Sequence, residues 1–194
     1  MSSANPDKKM IVFCGPSGSG KTTIVHHMLS KDPRLKFSVS ATTRNKRNNE
    51  QDGKDYHFLS AEDFKKKIGQ GEFIEWERVY ENGYYGTLQI EVKRILSEDK
   101  VPVFDLDVVG GLSIKKQYGE KVLAVFVRPP DIESLKQRLT ARATETAEDL
   151  KRRLDKAVHE LTYAEKFDKI LLNTNKEEAC LQAEKLVNDF LKSK

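Results

Sequence analysis

Short apolar runs alternate with helical patterns along most of the chain. Residues 11–14 (Ile-Val-Phe-Cys) lead into a glycine-rich turn and then into apolar positions at Ile24, Val25, Met28 and Leu29, which share one helix face. The pattern predicts strand, loop, helix. Three further runs, 101–106, 122–127 and 170–172, have the continuous apolar character of strands covered on both faces of a parallel sheet. Helical patterns fall between them: Leu88, Val92, Ile95 and Leu96 lie on one face, and Leu181, Val187, Phe190 and Leu191 mark a C-terminal helix. Alternating strands and helices predict an α/β fold with a central parallel sheet flanked by helices.

Two stretches depart from this rhythm. Residues 37–87 are rich in polar and aromatic side chains with short β-like pieces, such as Tyr56-His57-Phe58-Leu59 and Phe73-Ile74-Glu75-Trp76, and are expected to form an inserted lobe of mixed α/β character. Within it, Ser60 followed by Glu62 and Asp63 predicts the capped start of a short helix carrying Phe64 and Ile68, and Trp76 is expected to pack into the core. The second stretch, a helical lid at about 135–154, carries Arg138, Arg142, Arg152 and Arg153 on helices either side of a Thr144-Glu145-Thr146 turn. The expected organisation is therefore a flexible tail at 1–9, a core from 10–36 and 88–194 that includes the lid, and the lobe at 37–87.

Composition narrows the function classes. The chain has 194 residues, 38% of them hydrophobic, with no run approaching the roughly 20 apolar residues of a membrane span. A net charge of +4 comes from both signs mixed along the chain, with no basic stripe interleaved with aromatics, so neither nucleic acid nor membrane is an expected partner. Lys65-Lys66-Lys67 reads as a solvated helix face. Cys14 and Cys180 are too few for a disulfide framework and point to a reducing cytoplasm, as buried thiols. His26, His27, His57 and His159 have no metal-ligand spacing.

Gly15-Pro16-Ser17-Gly18-Ser19-Gly20-Lys21-Thr22, followed by Thr23, matches G-x-x-x-x-G-K-S/T between a predicted strand and a predicted helix. Glycines let successive backbone N–H groups turn toward phosphate oxygens, and the following helix points its positive end at the same anion. Lys21 brings charge to the β/γ-phosphates, and Thr22 is placed to ligate Mg²⁺. Asp105, at the end of the run 101–106, is expected to hold that ion through water. A nucleoside triphosphate is the expected ligand. Asn175-Lys176-Glu177-Glu178 approaches the guanine-reading N-K-x-D of GTPases but ends in Glu and opens the last helix.

The lobe supplies a second anion site. Arg44 and Arg47, three residues apart, are placed to converge on one phosphate, with Tyr56 and Tyr85 as neutral donors and Glu50 close by in sequence. At this point the chain resembles the guanylate kinase family. The resemblance runs from about residue 10 to 190 through the phosphate loop, Ser40-Ala41-Thr42-Thr43-Arg44, Glu75-Trp76, Tyr85-Gly86-Thr87, Asp105-Leu106-Asp107, Pro129-Pro130 and the lid arginines. Lys46, Asn49, Val109 and Ala143 depart from the family pattern.

The resemblance implies a P-loop core and Mg²⁺-dependent transfer of the ATP γ-phosphoryl group to GMP, and to dGMP, in a cytoplasmic monomer or weak homodimer. Arg44, Arg47, Tyr56 and Tyr85 would hold the GMP phosphate, Glu50 would belong to the same GMP site, and Ser40, Glu75, Thr87 and Asp107 would surround guanine. Arg138, Arg142 and Arg153 would neutralise the transferring group beside Lys21. The chemistry is consistent. Guanine offers two adjacent donors to a carboxylate at Glu75, whereas adenine offers a bare acceptor there, and such sites reject mismatched analogues by roughly 10⁴-fold. Two alternatives remain: a guanylate-kinase-like module that binds proteins without catalysis, and a kinase for another phosphorylated acceptor.

Overall fold

The computed structural model describes residues 8–80, 83–140 and 147–193. Arg142, Ala143, the Thr144-Glu145-Thr146 turn and Asn82 lie outside the described residues. The chain divides into two compact units: one contains Arg34–Phe104 with the amino terminus up to Lys8, the other Lys9–Pro33 and Asp105–Lys194.

The second unit contains the glycine-rich loop. Strand β1 (Met10–Cys14) lies parallel to β8 (Val122–Arg128), and β8 to β9 (Lys169–Leu172), in the order β1-β8-β9. β1 is buried along its length, as are the first six residues of β8, which explains their unbroken apolar sequence. Around them run α1 (Lys21–Lys31), α4 (Val108–Tyr118), α5 (Ile132–Thr140), α6 (Ala147–Leu161) and α7 (Lys176–Lys192). Phe13, Phe126, Ile24, Met28 and Ile114 fill the core, each worth about 1.5–3 kcal/mol of burial. Leu135, Leu139 and Ala157 join α5 to α6 in a smaller cluster.

Two sequence expectations are corrected here. β9 is the edge strand, and of its residues only Leu171 is buried; Ile170 and Leu172 are exposed, so the strand is covered on one face rather than two. α7 turns Ala179, Cys180, Ala183 and Val187 inward and leaves Leu181 64% exposed. Small side chains let α7 lie close to its neighbour α1, and the larger leucine is left outside.

The first unit contains the polar lobe. β2 (Leu35–Phe37) pairs in parallel with β7 (Val101–Asp105), and a separate four-stranded sheet runs β4-β3-β6-β5, from β3 (Ala41–Thr42), β4 (His57–Phe58), β5 (Phe73–Tyr80) and β6 (Gly83–Leu88). Helix α2 (Ala61–Gly69) begins as expected, with Ser60 Oγ accepting from the Asp63 N–H at 2.9 Å. Phe64 stacks on Phe73 and Tyr84 with centroids 4.3 and 5.4 Å apart, and these rings with Ala41 and Leu88 form the lobe's own core. Trp76 is not part of that core: it sits on the outermost strand and is 47% exposed. Helix α3 (Gln89–Ser97) follows β6 and buries Val92, Ile95 and Leu96 as the periodicity predicts. None of the described helices is long and apolar enough to cross a membrane.

Candidate active site

The loop between β1 and α1 is shaped by backbone that only glycine accommodates cheaply. Gly15 has φ +141°, and a Cβ there would stand 2.4 Å from the Val127 carbonyl oxygen. Gly20 has φ +92°, and a Cβ would meet Asn173 Nδ2 at 2.1 Å. These two positions hold the loop against β8 and against the segment after β9. The Ser19 N–H donates to Pro16 O at 3.0 Å, closing the turn, and α1 then starts at Lys21 with no acidic residue in its first turn. The helix end therefore presents amide groups and a positive dipole to an anion.

Charge gathers at the same end. Lys21 Nζ lies 3.3 Å from Asp105 Oδ1, and Thr22 Oγ1 donates to Asp105 Oδ2 at 2.6 Å. Burial alone would drive the Lys21 pKa down, but Asp105, with smaller help from Cys14 and Glu160, raises it, so the ammonium stays charged at neutral pH. Thr22 and Asp105 are hard oxygen donors brought together beside the glycine-rich loop. They fit Mg²⁺, which is ordinarily held by one or two protein oxygens with phosphate and water completing the shell. Thr23 follows on the exposed side of α1.

Of the three described arginines expected in the lid, Arg138 and Arg153 reach the loop, while Arg152 is exposed. Arg153 Nη2 donates to Ser17 Oγ at 2.7 Å. Arg138 Nη1 donates to Ser19 O at 3.4 Å and its Nη2 to Asn173 O at 3.2 Å. Asn173, which sequence reading missed, is buried and donates from Nδ2 to Ser19 O at 2.7 Å, so loop and lid helix share one carbonyl. Its signal was position: an amide immediately after a parallel strand, where ligands of open α/β sheets gather. Glu160 of α6 was missed as well. It is 6% exposed, and its burial pushes its pKa up against the opposing pull of Lys156 and Lys21.

In the other unit, Arg44 forms a two-pronged ion pair with Glu50: Nη1 to Oε2 at 2.7 Å and Nη2 to Oε1. Its guanidinium carbon lies 4.8 Å from the Tyr56 ring centroid, and Tyr56 meets Tyr85 edge-on at 6.1 Å. The Arg44 hydrogen bonds, together with the Arg47 N–H at 2.9 Å, hold the Glu50 pKa down at about 2. Arg44, Glu50, Tyr56 and Tyr85 thus form one group, which Arg47 joins through its backbone while its side chain is exposed.

Glu75 and Thr87 face each other across β5 and β6, and Thr87 Oγ1 donates to Glu75 Oε1 at 2.6 Å with both side chains buried. Ser40 lies in the link before β3, its carbonyl accepting from the His57 N–H at 2.9 Å. Asp107 belongs to the other unit, where it caps α4 by accepting from the Gly110 N–H at 2.9 Å.

The family model described as guanylate kinase matches residues 7–190. Guanylate kinase of Bacteroides fragilis is 45% identical over 185 residues, covering 95% of this chain and 91% of that relative. Guanylate kinase of Porphyromonas gingivalis is 46% identical over 184 residues, covering 94% and 98%. The crystal structure of guanylate kinase from Anaplasma phagocytophilum superposes with a TM-score of 0.78 at 24% identity, over 99% of this chain and 90% of that one, and shows the same fold. Matched by that family model over residues 7–190 and by relatives along nearly their whole length, this chain belongs to the guanylate kinase family.

Proposed function

We propose that this protein transfers the γ-phosphoryl group of ATP to GMP, and to dGMP, giving ADP and GDP or dGDP in the cytoplasm, as a monomer or weak homodimer. The curated relatives at about 45% identity carry that name over most of the chain. The observation that carries the choice of acceptor is the buried Glu75 carboxylate, bonded to Thr87 at 2.6 Å. Guanine N1–H and its 2-amino group are adjacent donors that suit this carboxylate, and hydroxyls at Ser40 and Thr87 suit guanine O6. Adenine would set a lone pair against buried negative charge.

An acceptor-phosphate oxygen of GMP attacks the γ-phosphorus in line. A new P–O bond forms as the bond to the β–γ bridging oxygen breaks, and the electron pair leaves on ADP. The acceptor oxygen is already ionised, so no general base is needed. Lys21 spreads its charge over the β- and γ-phosphates while the loop amides position them. Arg138, Arg142 and Arg153 meet the charge that develops on the transferring group, and a single arginine of this kind is worth about 10³–10⁵ in rate. Arg44, Arg47, Tyr56 and Tyr85 orient the GMP phosphate, with Glu50 holding the Arg44 guanidinium in place, and Asp107 is a further contact for the base. Thr22, and Asp105 through water, would hold Mg²⁺, which would supply positive charge that offsets the negative charge of the phosphates. Residues 37–87 act as the acceptor lobe and the helices at about 135–154 as the lid.

A protein-binding module without catalysis is not favoured, because the ion pair of Lys21 with Asp105 and the arginines on the loop are machinery such a module does not need. The test is ADP release from ATP in the presence of GMP, dGMP, AMP or a sugar phosphate in turn. GMP should exceed AMP by roughly 10⁴-fold in kcat/KM. Faster turnover with AMP or a sugar phosphate would reject the assignment.

A further inference from the structure

Glu91 is a buried acid that the reaction does not use. It lies in the first turn of α3, three residues after the cap Leu88, and is only 5% exposed. A glutamate there commonly folds back onto the cap's own amide. In this protein Oε1 accepts instead from the N–H of Val39 at 3.1 Å, far back in the chain. Arg94, one turn on, closes on the same carboxylate, with Nε to Oε2 at 2.9 Å and Nη2 to Oε1 at 2.8 Å. Arg94 Nη1 also donates to Glu98 at 2.8 Å, and Glu98 accepts from Lys36 of β2. A continuous chain of charges thus ties β2 and α3 to the segment at Val39.

That segment, residues 38–40, links β2 to β3 and ends in Ser40. The Ser38 N–H donates to Val103 O at 2.9 Å, Val39 donates to Glu91, and Ser40 O accepts from the His57 N–H at 2.9 Å before Ala41 enters the sheet. Ser38 and Val39 are 1% and 8% exposed, so the Val39 amide cannot turn to bulk water if its acceptor is lost. A buried donor left unsatisfied is costly enough to reshape the link, and Ser40 would move with it.

We infer that Glu91 is a positioning residue for the acceptor nucleotide: it fixes the Val39 amide, and so the backbone from which Ser40 meets GMP, while Arg94 holds the carboxylate in place. This rests on the kinase reading above, with Ser40 as a GMP contact.

Steady-state kinetics with ATP and GMP varied separately, together with melting curves, test it in four variants of the full chain. Glu91→Ala should raise the KM for GMP about tenfold and leave the KM for ATP within about twofold. Glu91→Gln keeps a carbonyl acceptor for Val39 and should restore the GMP KM to within about threefold of wild type. Arg94→Ala should fall between them. Glu91→Asp keeps the charge but is one methylene short of Val39, so it should behave like the alanine variant and serves if that variant fails to fold. Lower melting temperatures with an unchanged GMP KM, or equal rises in both KM values, would overturn the inference. A wild-type enzyme showing no GMP-dependent turnover would instead reject the kinase reading itself, and the inference with it.

Discussion

The glycine-rich loop and the polar lobe, the two phosphate sites of the proposed reaction, are built by different means. The loop uses backbone: Gly15 and Gly20 occupy left-handed or near-forbidden conformations against Val127 and Asn173, a shape suited to turning amides toward an anion. The lobe uses side chains: Arg44, Glu50 and Tyr56 come from the loop between β3 and β4 and Tyr85 from β6, while Glu75 and Thr87 pair across β5 and β6. Backbone recognition of phosphate is indifferent to the base. The base can be read only where side chains with directed donors and acceptors are buried, as Glu75 and Thr87 are.

The largest test of this contrast removes the loop's one mobile charge. Lys21→Met should lower kcat by at least about 10³-fold while leaving GMP affinity nearly intact, measured by turnover and by calorimetric titration of GMP. Next, Glu75→Gln should cost about 10²–10³ in kcat/KM for GMP while sparing the KM for ATP, because it alters only base reading. If both KM values rose together, the division of labour would fail. Gly20→Ala tests the loop's backbone: the left-handed conformation and the approach of Asn173 should cost about 1–3 kcal/mol in chemical denaturation and raise the KM for ATP. The smallest effect concerns pH. Glu50 falls from 4.5 to about 2 in the folded protein, so the Arg44–Glu50 pair contributes its stability in full above the unfolded carboxyl's pKa and loses it as pH falls toward 2. Melting temperatures of wild type and Glu50→Gln should therefore differ at pH 6 and converge near pH 2.

The two regions also differed in how far they could be read from sequence. The loop was legible because one local pattern, strand, glycines, lysine, helix, specifies it without reference to the rest of the chain. The lobe's strands are as short as two residues, too short for an alternation signal, so its site residues came from resemblance and from residue chemistry rather than periodicity. β9 and Leu181 misled because apolar character does not say which face is covered; the edge position of β9 and the small residues of α7 decided that. The buried acids Glu91 and Glu160 sit in helices where charged residues are ordinarily solvent-facing. Glu91 shares a helix face with Ile95, four residues on, and a carboxylate on an apolar stripe was the signal to follow.

The most direct measurement follows the phosphoryl group itself. With ATP labelled at the γ-phosphorus and GMP present, the label should appear in GDP at the rate at which ADP is released, with little inorganic phosphate formed. Label accumulating as inorganic phosphate, or label transfer that does not depend on GMP, would contradict the account.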